Sequence, residues 1–189
     1  MNAEQATTPR VILVTGPARS GKSEWAEMLA VETQKPRIYL ATARVDPNDS
    51  EWVARIAKHV HRRTHQGWKT WEVPILLAEA LLEAPKDSCL LVDSLGTWVA
   101  NLLAEEDATW EQMQRDLILA CSLVGEVIFV AEETGWGVVP AYPSGRKFRD
   151  RLGALVRRLG AIAHTTYLVT GGHALNLSQL GTPLPPSSG

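Results

Sequence analysis

Only two cysteines, Cys89 and Cys121, occur in 189 residues, far apart and without a C-x-x-C pattern. A disulfide framework is thereby excluded, and both residues, set in apolar runs, read as reduced core positions of a cytoplasmic protein. No run of ~18 apolar residues occurs, so no membrane span is expected. Met1 to Arg10 is polar and unlike a signal peptide, which adds to the expectation of a soluble, intracellular chain. Charge bias is also missing: 19 basic against 21 acidic residues leave a formal net charge of −2. No stripe of basic residues interleaved with aromatics appears, and a nucleic-acid module is the class least favoured. Internal repeats are absent. What is present is 45% hydrophobic content, enough to bury one core. Residues 1–180 are expected to form a single domain, followed by a loose tail, 181–189, that carries Pro183, Pro185, Pro186, Ser187 and Ser188.

The chain is organised around Gly16-Pro17-Ala18-Arg19-Ser20-Gly21-Lys22-Ser23, between the apolar run Val11 to Val14 and the helical pattern Glu24 to Ala30. A strand ending in G-x-x-x-x-G-K-S and opening into a helix is a P-loop. Its backbone N–H groups and the helix N-terminus make a nest for polyphosphate. Lys22 would reach the terminal phosphates and Ser23 would place its hydroxyl on Mg²⁺, while Gly16 and Gly21 supply backbone freedom. The alternative is a glycine-rich turn with no ligand.

Short apolar runs alternate with helical patterns, as an α/β fold with a parallel sheet requires. Five parallel strands are expected, at Val11 to Thr15, Arg37 to Ala41, Cys89 to Asp93, Val127 to Ala131 and Thr166 to Thr170. Each lacks a polar face, the mark of burial on both sides. Gly171-Gly172 predicts a hairpin turn, with Ala174 to Leu177 returning as an antiparallel edge strand.

After the second strand, Val53, Ile56, Ala57 and Val60 follow helical spacing and predict a buried stripe. His59 then faces away, with Arg55 four residues before it and Arg62 and Arg63 three and four after. Clustered guanidinium groups would keep the imidazole neutral and nucleophilic and neutralise a phosphate under attack. A solvated helix face with an idle histidine is the alternative. His59, His61 and His65 span different helix faces and have no carboxylate or cysteine to complete a metal site. Asp93 closes the run Leu90-Leu91-Val92 at the edge where nucleotide sites form, and is a candidate Mg²⁺ partner. Glu132 and Glu133 close the fourth strand similarly. They precede Gly135-Trp136-Gly137-Val138-Val139-Pro140, a glycine-bracketed aromatic loop whose tryptophan either serves a ligand or packs on the core.

Together these stretches resemble the adenosylcobinamide kinase/adenosylcobinamide-phosphate guanylyltransferase family. The resemblance covers about residues 11 to 177. It rests on the P-loop, Tyr39-Leu40-Ala41-Thr42-Ala43, Ala54 to Arg63 with Trp68 and Glu72, Asp93 with Thr97 and Asn101, Glu133 to Pro140, and Arg146 to Asp150. It implies a RecA-like P-loop fold and a two-step enzyme of late cobalamin assembly. Adenosylcobinamide would be phosphorylated with ATP or GTP, and GMP would then be transferred from GTP through His59, the matching nucleophile. Thr42, Ala43, Arg44, Val60, His61, Arg62, Arg63, Glu72 and Asp93 are similar in position to the family's nucleotide contacts. A homotrimer is also implied. Three departures stand out: Glu132-Glu133-Thr134-Gly135 where the family commonly has N-E-V-G, Val156 where an asparagine is usual, and Ala141 to Gly145, which lacks polar residues often found after the V-P pair. A P-loop kinase of another small alcohol and a noncatalytic GTP-binding protein remain as alternatives.

Overall fold

The computed structural model describes residues 9–44 and 66–185. Along them run β1 (Arg10–Gly16), α1 (Lys22–Glu32), β2 (Arg37–Ala41), β3 (Trp68–Glu72), α2 (Leu77–Glu83), β4 (Cys89–Asp93) and α3 (Leu95–Asn101). There follow α4 (Asp107–Cys121), β5 (Glu126–Glu132), α5 (Pro143–Ile162), β6 (Thr165–Thr170), β7 (His173–Asn176) and α6 (Leu177–Leu180). They build one seven-stranded sheet in the order β3-β2-β4-β5-β1-β6-β7. The fold is α/β and P-loop-like, with every neighbouring pair parallel except β6 and β7 at one edge.

The five expected parallel strands are present, and β3 is a sixth. Its sequence, Trp-Lys-Thr-Trp-Glu, alternates and carries charge because it lies at a sheet edge, where one side stays wet. Trp68 anchors it, packing edge-on against Tyr39 with ring centroids 6.1 Å apart and beneath the Arg37 guanidinium. The antiparallel strand begins one residue earlier than expected, at His173. Leu177 leaves it to open α6, capped by the Asn176 side chain, which accepts from Gln179 N at 3.2 Å.

Alternation along the strands separates two cores. Val11, Leu13, Leu90, Val92, Val127 and Phe129 pack toward α2 to α5, whereas Ile12, Val14, Cys89, Leu91, Ile128 and Val130 pack toward α1. Burial raises the thiols of both Cys89 and Cys121 to about 12, so they are neutral and inert at physiological pH. Arg151 locks α5 in place by donating to Leu102 O at 2.9 Å and to Glu105 O at 2.7 Å. It also donates to Asp107 Oδ1, and this holds the Asp107 carboxyl below the usual range.

At the edge of the sheet away from the P-loop, the Glu126 side chain is only 4% exposed and accepts from both Arg10 and Lys35 at 3.0 Å. A buried carboxylate with two cations is costly to disturb. Both partners reach solvent, however, which tempers the effect. We expect Glu126→Gln to lower stability by about 2 kcal/mol, read as a fall in the urea midpoint with an unchanged denaturant slope.

Candidate active site

Parallel register brings the ends of the central strands to one edge. Glu72 pairs with Ala41, Ala41 with Asp93, Asp93 with Val130, and Gly16 with Glu132. The P-loop leaves β1 at this edge and turns over the sheet into α1. Gly21 takes φ +90°, a left-handed conformation that lets the chain enter the helix, and Trp25 N then donates to Gly21 O at 2.9 Å. Gly16 passes so close to Val169 O and the Ser20 hydroxyl that a Cβ would collide with both.

Lys22 is the decisive group. It is 8% exposed, and its ammonium donates to Pro17 O at 3.3 Å, with no carboxylate within ion-pair distance among the described residues. A buried cation held by one weak carbonyl bond is chemically suited to take up an external anion, because burial without a counter-charge is expensive. The Ser20 hydroxyl is likewise buried and without a partner. Pro17 is half-buried, Ala18 and Arg19 are exposed, and Ser23 is half-buried with no hydrogen-bond partner among the described residues.

Asp93, closing β4, receives the Tyr39 hydroxyl on Oδ2 at 2.8 Å, which orients the carboxylate. By alternation it continues the series Cys89, Leu91 and so lies on the α1 side of the sheet. Among the described residues no cluster of three His, Cys, Asp or Glu could cage a metal. Mg²⁺ bound beside nucleotide phosphates requires no such cage, and the chemistry of one hydroxyl and one carboxylate suits it.

Thr42 is fully buried, and its hydroxyl both donates to Ser94 O at 2.7 Å and accepts from Ser94 N at 2.9 Å. Its side chain therefore joins the ends of β2 and β4. Asn101 completes the joint, donating to Thr42 O at 2.7 Å and to Pro74 O at 3.0 Å. Ala43 is half-buried, and Arg44 and Glu72 are exposed at the same edge. His59, Val60, His61, Arg62 and Arg63, and the helix expected around them, lie outside the described residues.

Sequence reasoning did not assign Tyr39 or Asn101 a part here. Tyr39 is a tyrosine within an apolar strand, and a buried hydroxyl that must find a partner was the available signal. His164 and His173 make structural bonds: His164 Nδ1 accepts from Val11 N at 3.1 Å, and His173 Nδ1 lies 2.9 Å from Gly171 O.

Beside the P-loop, on the α5 side, is a cavity of about 1090 Å³ walled by β1, α5, the segment after β5 and the chain from Leu177 to Pro185. Glu132 to Gly135 and Val156, from two of the departures noted in the sequence, line it.

A family model described as cobinamide kinase / cobinamide phosphate guanyltransferase matches residues 12–177, nearly the whole described fold. The chain belongs to this family. The bifunctional adenosylcobalamin biosynthesis protein CobP of Pseudomonas aeruginosa is 40% identical over 176 residues, covering 91% of this chain and 98% of that one. The bifunctional adenosylcobalamin biosynthesis proteins CobU of Salmonella typhimurium and Escherichia coli are each 34% identical, covering 86% of this chain and 96% of theirs. The family's two reactions, phosphoryl and guanylyl transfer, both need a polyphosphate site, and the P-loop, with its buried Lys22 unpaired among the described residues, has the chemistry such a site calls for.

Proposed function

We propose that this chain phosphorylates the aminopropanol hydroxyl of adenosylcobinamide, with ATP or GTP as donor, and then attaches GMP to the new phosphate. The observation that carries the proposal is the burial of Lys22 without a counter-ion among the described residues. In the first reaction the P-loop amides and Lys22 hold the β- and γ-phosphates and offset the charge that builds on the leaving oxygen. Ser23 and Asp93 would hold Mg²⁺, which supplies charge neutralisation between the β- and γ-phosphates. Tyr39 keeps Asp93 oriented toward that place.

In the second reaction an imidazole nitrogen of His59 attacks the α-phosphorus of GTP, and pyrophosphate departs with the bonding electrons. An oxygen of adenosylcobinamide phosphate then attacks the same phosphorus, the P–N bond breaks, and His59 is regenerated. Arg62 and Arg63, at helical spacing from His59, would neutralise the phosphates. Arg44, Ala43, Val60, His61 and Glu72 are proposed to complete the nucleotide contacts. We take the enzyme to be a cytoplasmic homotrimer. The exposed apolar stretch with Trp136, Val138 and Val139 supports burial against another copy.

The test is to incubate the purified protein with adenosylcobinamide, Mg²⁺ and ATP, then add GTP, and follow the corrinoid by chromatography and mass. Adenosylcobinamide phosphate is expected first and adenosylcobinamide-GDP second. A protein that binds GTP but converts neither corrinoid would contradict the proposal.

A further inference from the structure

Helix α3 starts two residues after Asp93, and its side chains reach back to the chain just beyond two neighbouring strands. The Asn101 amide nitrogen carries two hydrogens and places both, donating to Thr42 O at 2.7 Å and to Pro74 O at 3.0 Å. Trp98, a turn earlier, donates from Nε1 to Ile75 O at 2.8 Å. Thr42 is the first residue past β2, and Pro74 and Ile75 follow β3 by two and three positions. The last backbone bond between these strand ends is Val73 N to Ala41 O, at 2.8 Å. Pro74 then has no N–H to continue the ladder, and the carbonyls of Thr42 and Pro74 take their hydrogen bonds from Asn101 instead.

These two carbonyls belong to the rim of the candidate site. Ala43 and Arg44 follow Thr42 directly, and Glu72 stands two residues before Pro74. Among the described residues neither the Arg44 nor the Glu72 side chain makes a hydrogen bond or ion pair, so the backbone alone fixes where each begins. Thr42 is fully buried and its hydroxyl is committed to Ser94, which ties the same stretch to the end of β4. The ends of β2, β3 and β4 therefore converge on one helix. The P-loop leaves β1, which is separated from β2 by β4 and β5, so this joint governs a different part of the edge.

We infer that Asn101 is a positioning residue for the nucleoside triphosphate: by bridging Thr42 O and Pro74 O it sets the separation between the stretch Thr42 to Arg44 and Glu72. The inference rests on the reading of those residues as nucleotide contacts. Asn101 acts through the two backbone segments it joins and not through a bond of its own to the ligand. An asparagine suits the task, since two carbonyls need two donors close together on a short stem, and aspartate has none to give. A plain stitch between loops, which stabilises the fold and does nothing for the ligand, is the competing explanation.

The test compares wild type, Asn101→Ala, Asn101→Gln and Glu126→Gln. Calorimetry measures binding of the α,β-methylene analogue of GTP with Mg²⁺, and steady-state kinetics follow guanylyl transfer to adenosylcobinamide phosphate. In Asn101→Ala, water can satisfy the two carbonyls without fixing their separation. Its Kd for the analogue and KM for GTP should each rise about tenfold or more, with kcat within about threefold and KM for adenosylcobinamide phosphate little changed. Asn101→Gln keeps both donors on a longer stem, so it should hold its melting temperature and still bind the analogue at least about threefold more weakly; it decides the matter if the alanine variant does not fold. Glu126→Gln, at the other end of β5, should melt earlier yet keep both nucleotide constants within about twofold. Analogue affinity within about twofold of wild type in the Asn101 variants that fold overturns the inference, and so does an equal loss in Glu126→Gln, since affinity would then follow stability alone. If wild type binds no analogue, the nucleotide reading itself fails and the inference falls with it.

Discussion

Lys22→Met is expected to lower both phosphoryl transfer and guanylyl transfer by at least about 10³-fold without lowering the melting temperature. Lys22 is buried and, among the described residues, its ammonium is bonded only to Pro17 O, so the uncompensated charge is expected to cost stability. Methionine preserves the length and apolar stem of the side chain and removes the charge. The folded state should therefore hold or gain stability, while the nucleotide phosphates would lose the buried cation proposed to hold them. Turnover of adenosylcobinamide and a thermal melt of the same sample check both halves. A melting temperature several degrees lower would mean that Lys22 is paired inside the protein and is no ligand site.

His59→Ala should separate the two reactions. Guanylyl transfer should fall by about 10⁴-fold or more, since the nucleophile is gone and water in its place yields GMP and no transfer. Phosphorylation should fall less than about tenfold, because its charge stabilisation comes from the P-loop. The comparison is made with adenosylcobinamide for the first reaction and adenosylcobinamide phosphate for the second. Equal losses in both would place His59 in a shared role such as holding the triphosphate.

The strands that both sheet faces cover were legible because burial on two sides demands unbroken apolar sequence, as in Leu90-Leu91-Val92 and Val127 to Ala131. At the sheet's edge that demand lapses. Strand β3, with its lysine and glutamate, carried no such signal and was found only through its pairing with β2. The P-loop was legible because glycine, lysine and serine at fixed spacing have few other uses. Tyr39 and Glu132 were not read as partners of Asp93 and Gly96, 54 and 36 residues away along the chain. Their roles come from parallel register, which sequence spacing does not reveal. Thr42 shows the same limit: its place at the end of β2 was readable, but the bonds of its hydroxyl to Ser94, 52 residues away, were not.

The most direct measurement is incubation of the protein with Mg²⁺ and GTP labelled at the α-phosphate, followed by denaturation, intact mass and peptide mapping, with His59→Ala alongside. One GMP per chain is expected on the peptide that contains His59, stable to alkali, labile to acid as a phosphoramidate is, and discharged by adenosylcobinamide phosphate. Unmodified protein after GTP turnover, or a label that persists in His59→Ala, would contradict covalent guanylyl transfer through this histidine.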